Sequence, residues 1–206
     1  MDKNQQTVPL ARLNKIKDIG VYFDAKLDFQ DHMHEKMNKA YMMLGLINRN
    51  FKHMSIPTFV ALYKSMVRSP LDYCCPVWSP YRKGDIEALE KVQKRATKLI
   101  PALKNLPYKD RLKACNMSTL HYRRVRGDMI ETYKILSWKY DTNVIPHLKT
   151  TVIQATRGND LRIFKTRFKY DLRKFYFTNR VVDAWNSLPN WIVVANNTNT
   201  FIRRLI

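Results

Sequence analysis

From residue 86 to residue 100 the apolar side chains Ile86, Leu89, Val92, Ala96, Leu99 and Ile100, with Gln93 among them, recur three or four positions apart. That spacing closes into one stripe on an α-helix, whereas on a strand it would scatter over both faces. Gly84 and Asp85 can open the helix and Pro101 closes it. Its opposite face is almost wholly charged. Glu87 precedes Lys91 by four residues and Glu90 precedes Lys94 by four, the favourable order for helix ion pairs worth about 0.2–0.5 kcal/mol each. A second amphipathic helix is expected upstream, over residues 57–67, with Phe59, Leu62, Tyr63 and Met66 inward and Ser55 as its cap. Residues 70–81 between them, with Tyr73, Pro76, Trp78 and Pro80, read as a rigid corner. The stretch 62–100 is thus helix, corner, helix.

Elsewhere the same reasoning gives mostly helix. Residues 18–24 (DIGVYFD) read as one short strand, which cannot stand alone. Its partners are expected to be Ile16 and its neighbours or residues outside this chain. A helix over 30–50 turns Met33, Met37, Ala40, Tyr41, Leu44 and Ile47 inward. Residues 107–114 form a short helix begun by proline. Ser118 then caps a helix reaching about residue 139, with Tyr122, Val125, Met129, Tyr133 and Leu136 on one side and Arg123, Arg124 and Arg126 on the other. Alternation at Leu161 and Ile163, and again at Phe164, Thr166 and Phe168, permits a strand there. A helix over 178–188 stops at Pro189, and residues 200–206 add a last helical turn. The expected fold is mainly α: a helical bundle with a short N-terminal strand and a small strand element near 161–168. Its expected divisions are a poorly ordered tail at 1–17, a helical region at 18–140, a connector at 141–160 and a basic, aromatic C-terminal subdomain at 161–206.

Charge decides which partners suit such a body. The chain carries 37 Lys and Arg against 17 Asp and Glu, a net of +20. A globular chain this basic is expected to meet phosphates. Residues 1–100 hold 17 basic and 10 acidic side chains, and residues 101–206 hold 20 and 7, so phosphate affinity should concentrate in the second half. Residues 157–180 alone set eight basic side chains, from Arg157 to Arg180, against Asp160 and Asp171. Three cysteines, two of them adjacent, make no disulfide framework and suit a reducing compartment. The first twenty residues lack the apolar core of a secretory signal, and no run is apolar enough to span a bilayer. A nuclear or cytoplasmic protein, not secreted and without membrane attachment, is expected.

No catalytic constellation stands out. The five glycines are scattered, so there is no phosphate-cradling loop. Asp-Asp and Asp-x-Asp pairs, which two-metal phosphoryl transfer favours, do not occur. His32, His34, His53, His121, His147 and the cysteines lack zinc-module spacing. Neither metal nor cofactor is expected. What remains is basic side chains interleaved with aromatic ones. Lys and Arg neutralise phosphates, and exposed rings can stack on unpaired bases. Phe175, Phe177, Trp185 and Trp191 are more simply core. The candidate contacts are Lys91, Lys94, Arg95 and Lys98, then Arg123, Arg124 and Arg126, then Arg167, Arg173, Lys174 and Arg180.

Three runs in order, LYKSMVRSPLDYCCPVWSPYRKGDIEALEKVQKRATKLI, then LPYKDRLKACNMSTLHYRRVRGDMIETYKIL, then TRGNDLRIF with RKFYFTNRVVDAWNSLP, resemble the C-terminal part of reverse transcriptases encoded by non-LTR (LINE-type, jockey-like) retrotransposons. The resemblance covers residues 19–205. It implies that 18–24 follows the palm, that 30–100 corresponds to the thumb and the region after it, and that these parts grip RNA template and DNA primer. The catalytic palm, with its Asp-Asp pair, is not among these residues. The resemblance therefore implies a truncated piece of an RNA-directed DNA polymerase that binds an RNA or RNA–DNA duplex without chemistry of its own. A palm domain supplied in trans is the protein partner it suggests. A helical module that docks another protein, or a genomic relic without a role, are the alternatives.

Overall fold

The computed structural model describes residues 12–141, 143–151 and 159–205. The expected tail falls outside these as far as residue 11, as do Arg157, part of the connector (152–158) and Ile206.

The described end of the tail is a strand. Lys15–Asp18 (β1) pairs antiparallel with Val21–Asp24 (β2), setting Ile16 opposite Phe23 and Lys17 opposite Tyr22. The single strand expected over DIGVYFD is therefore half of a hairpin, and Ile16 and its neighbours are its partner. The chain reverses at Ile19 and Gly20, whose φ angles of 41° and 78° are both positive. A two-residue hairpin demands that sign because its twist must match the strands. Ile19 tolerates it poorly, since a branched side chain crowds a left-handed backbone. Tyr73 holds the turn: its hydroxyl donates to the Ile19 carbonyl at 2.9 Å, and its ring lies 3.4 Å from where a Cβ on Gly20 would stand.

The rest is mainly helical. Gln30–Asn50 (α1) has the expected bounds and buries Met33, Ala40, Leu44 and Ile47, with Met37 and Tyr41 partly covered. Ile56–Leu62 (α2) starts where Ser55 accepts from the Thr58 N–H. The expected break after residue 67 does not occur. A π-helical turn, Tyr63–Arg68, leads directly into Ser69–Asp72 (α3). The cause is a four-residue spacing: Phe59, Tyr63, Val67 and Leu71 are all fully buried. On a regular helix each such step drifts around the axis, and the wider π turn takes up the drift. Val67 thereby goes inward and Met66, expected inside, faces out.

The corner contains one more helical turn, Cys75–Trp78 (α4), entered through a left-handed Cys74. Trp78 is buried and its indole N–H donates to the Tyr73 carbonyl at 2.7 Å. Lys83–Thr97 (α5) follows, then a 3-10 turn at Pro101–Leu103 and Tyr108–Ala114 (α6). Glu90 does not pair with Lys94. It turns inward, takes the Tyr108 hydroxyl on one oxygen and receives the Leu120 N–H at 3.0 Å on the other. A carboxylate there satisfies the free amides at the start of Leu120–Leu136 (α7) and suits the positive end of its dipole. Gln93 extends this network, accepting from Tyr63 at 2.8 Å and donating to the Ser118 carbonyl at 2.9 Å. The cap of α7 is Thr119, one residue later than expected.

Two apolar clusters result. The first joins α1, α2, the corner and α5 around Phe59, Tyr63, Trp78 and Leu89. The second joins the end of α7 to Phe177–Asn186 (α9), Asn190–Val193 (α10) and Thr198–Arg204 (α11) around Trp185 and Phe201. Helix α7 serves both, Leu120 in the first and Met129 and Tyr133 in the second. Asp171–Lys174 (α8) precedes α9. The strand element expected near 161–168 reduces to a single antiparallel bridge between Thr150 and Ile163. No neighbouring strand is needed at Ile163, because the Asn186 side chain accepts from its N–H and donates to its carbonyl, both at 2.9 Å.

His32 gives the fold a pH dependence. It is fully buried near the start of α1, edge-on to Trp78 with centroids 5.0 Å apart, and its Nδ1 accepts from the Tyr22 N–H at 3.2 Å. Burial, with Lys36 nearby, lowers its pKa from 6.5 to about 4. The unfolded chain therefore takes up this proton first as pH falls. Stability is full above pH 6.5 and is lost as pH drops toward 4. Urea unfolding is expected to lose about 2 kcal/mol from this residue between about pH 7.5 and pH 5. His32→Asn, which can still accept from Tyr22, should remove that part of the dependence. An unchanged pH profile in the variant would contradict it.

Candidate nucleic-acid interface

The basic side chains proposed from sequence divide into two groups. Lys91, Lys94, Arg95 and Lys98 are exposed, and their spacing places them on one face of α5. Among the described residues none has a carboxylate within ion-pair distance. Lys94 lies over the Tyr108 ring at 5.5 Å and Arg95 over the Tyr41 ring at 5.4 Å. Those contacts orient the stems without neutralising the charge.

A second exposed patch runs from residue 164 to residue 176. Arg167, Lys169, Arg173 and Lys174 are exposed there, interleaved with Phe164, Phe168, Tyr170 and Tyr176, also exposed. Lys169 belongs to this patch although sequence reasoning had not singled it out. Lys165 does not, because it is paired with Asp183. The second patch reaches the N-terminal end of α5. Tyr81 stacks on Phe175 with centroids 4.6 Å apart, Arg82 lies over Tyr81, and Lys174 lies over Phe175. At 1.5 Å per residue, Lys91 is about 12 Å along α5 from this junction.

Three of the proposed contacts, Arg123, Arg124 and Arg180, are not available to a ligand backbone, which corrects the expectation. Arg123 gives both its Nε, at 3.1 Å, and its Nη2, at 2.9 Å, to Asp72, 51 residues away. Arg126 donates to the Ile202 carbonyl at 3.1 Å and ties α7 to α11. Arg124 is buried, and burial lowers its pKa. Arg180 forms a two-pronged pair with Asp128, 3.0 Å on each prong, and also donates to the Pro76 carbonyl at 2.8 Å. It therefore locks α9 to α7 and to the corner. The inward side of α7 is the one carrying Leu120, Arg124, Asp128 and Thr132, while Tyr122 and Val125, expected inside, are exposed.

The aromatic side chains also divide. Trp185 and Phe177 are core, as expected, whereas Trp191 is exposed and Phe175 is half-buried in the stack on Tyr81. Among the described residues no group of three His, Cys, Asp or Glu side chains could hold a metal ion, and no helix is long and apolar enough to cross a membrane. Burial pushes the Cys75 thiol up to about 12 and raises that of Cys115, so neither is a nucleophile near neutral pH. An apolar groove of about 770 Å³ between β2, α4, the end of α7 and α8 has Glu131, Arg173 and Tyr176 as its ionisable lining. It offers no acid–base pair at hydrogen-bonding reach.

No protein-family model matches the chain, and no solved structure matches it. The chain is similar to an uncharacterized protein of Caenorhabditis elegans, 28% identical over 141 residues, which are 67% of this chain and 71% of that protein.

Proposed function

We propose that the chain binds the sugar–phosphate backbone of an RNA or RNA–DNA duplex, as the template-primer-gripping part of a reverse-transcriptase lineage, and performs no chemistry itself. The observation that supports this is the pair of exposed basic patches. Seven side chains named from sequence, Lys91, Lys94, Arg95, Lys98, Arg167, Arg173 and Lys174, are exposed and without carboxylate partners among the described residues. Solvated cations of this kind release counterions when they meet phosphates, the dominant source of sequence-independent affinity. The junction of Tyr81, Phe175, Arg82 and Lys174 sets the second patch against the N-terminal end of α5, about 12 Å from Lys91. The resemblance to non-LTR reverse transcriptases supplies the ligand class, a template-primer duplex.

The test is fluorescence anisotropy with two RNA–DNA duplexes of unrelated sequence. Equal affinities are expected, falling by about 10³-fold or more between about 50 and 200 mM salt. Tight binding to one sequence alone, or affinity indifferent to salt, would overturn the reading.

A further inference from the structure

Arg124 is 4% exposed, yet its Nη2 has no hydrogen-bond partner, and no carboxylate lies within ion-pair distance of it among the described residues. Leaving a buried guanidinium unpaired is costly. The neighbouring acids are already engaged: Asp128 by Arg180, Asp72 by Arg123 and Arg68, and Glu90 by Tyr108 and the α7 amides. Four arginines against three carboxylates leave one positive charge uncompensated, and Arg124 is the one without a partner. It lines a cavity of about 140 Å³ between α7 and α9, together with Ser79, His121, Asp128, Arg180 and Ala184. That volume is several times the ~30 Å³ of one water, and it admits a tetrahedral oxyanion.

We infer that this cavity binds a phosphate group, with the Arg124 guanidinium as the principal donor and Ser79 and His121 also in its lining. A phosphate compensates the charge of the Arg124 guanidinium, which a neutral guest would not. The group could be free phosphate or the terminal phosphate of a nucleic-acid strand; the chemistry recognised is the same. None of the seven side chains assigned to duplex binding lines the cavity, so the two proposals stand or fall separately.

The test is thermal unfolding of the full chain as inorganic phosphate replaces chloride at constant ionic strength. The midpoint is expected to rise by about 5 °C at saturation. Arg124→Met removes the donor and should abolish the rise while leaving the phosphate-free chain at least as stable. Ala184→Leu keeps every charged group but fills the space, and should abolish it too. A short oligonucleotide with a 5′-phosphate, set against its 5′-hydroxyl twin, separates the sources. A shift at lower concentration than inorganic phosphate needs marks a strand end, and a shift with inorganic phosphate alone marks the free ion. No rise beyond that in chloride, or rises in both variants equal to that of the natural chain, would overturn the inference.

Discussion

Asp128→Ala is expected to destabilise the chain by about 3–5 kcal/mol, because it removes one partner of an enclosed ion pair and leaves the other charged. Asp128 is buried, and both of its oxygens receive Arg180 at 3.0 Å. Burial raises the Asp128 pKa and the Arg180 fork opposes that rise. Without it, Arg180 retains only the Pro76 and Phe175 carbonyls. The same residue joins the two apolar clusters, since Asp128 is on α7, Arg180 on α9 and Pro76 in the corner. Replacing both partners, Asp128→Leu with Arg180→Met, should recover a large part of the loss, as no charge is then stranded. Urea unfolding measures both. A single-variant cost below about 1 kcal/mol would show that the pair is not a structural lock.

The second large effect concerns binding. Changing Lys91, Lys94, Arg95 and Lys98 together to Gln should weaken duplex affinity by about 10²–10³-fold near 0.1 M salt, if each contacts a phosphate. The fold should be untouched, because all four are exposed and the buried stripe of α5 (Leu89, Val92, Gln93, Ala96) is unchanged. Arg123→Gln is the control. Its guanidinium is paired with the Asp72 carboxylate through two hydrogen bonds, so it should alter stability modestly and affinity little. An equal loss in the control would place the interface on α7 instead.

These predictions divide the proposed arginines in a way the sequence allowed only in part. Helix α1 was legible to its end residues because its apolar spacing is regular along its whole length. The cap at Ser55 and the proline after it were equally plain. The π turn was not, although its signal was present: Phe59, Tyr63, Val67 and Leu71 are spaced by four, and reading them at 3.6 residues per turn put Met66 inside in error. Arg123, Arg124 and Arg126 cannot share one helix face, since each residue advances about 100°. Spacing alone could have separated Arg124 from the others. The partner of Arg123, Asp72, could not have been foreseen, because it stands 51 residues away in the corner. Glu90 is the opposite case. Its spacing to Lys94 suited an ion pair, but the free amides of α7 and the Tyr108 hydroxyl compete for it more strongly in a buried setting. The pairing of 18–24 with Ile16 and its neighbours stayed one of two alternatives because Ile19 is an improbable turn residue, held there by Tyr73.

The central claim, that exposed cations on α5 and in the 164–176 stretch grip phosphates, is tested most directly by the salt dependence of RNA–DNA duplex binding. The measurement is the slope of log affinity against log salt for the natural chain and for the Lys91, Lys94, Arg95 and Lys98 variant. With about 0.9 counterions released per contact, the natural chain should give a slope near −6, and the variant one shallower by about 3 to 4. Identical slopes for the two proteins would contradict the account.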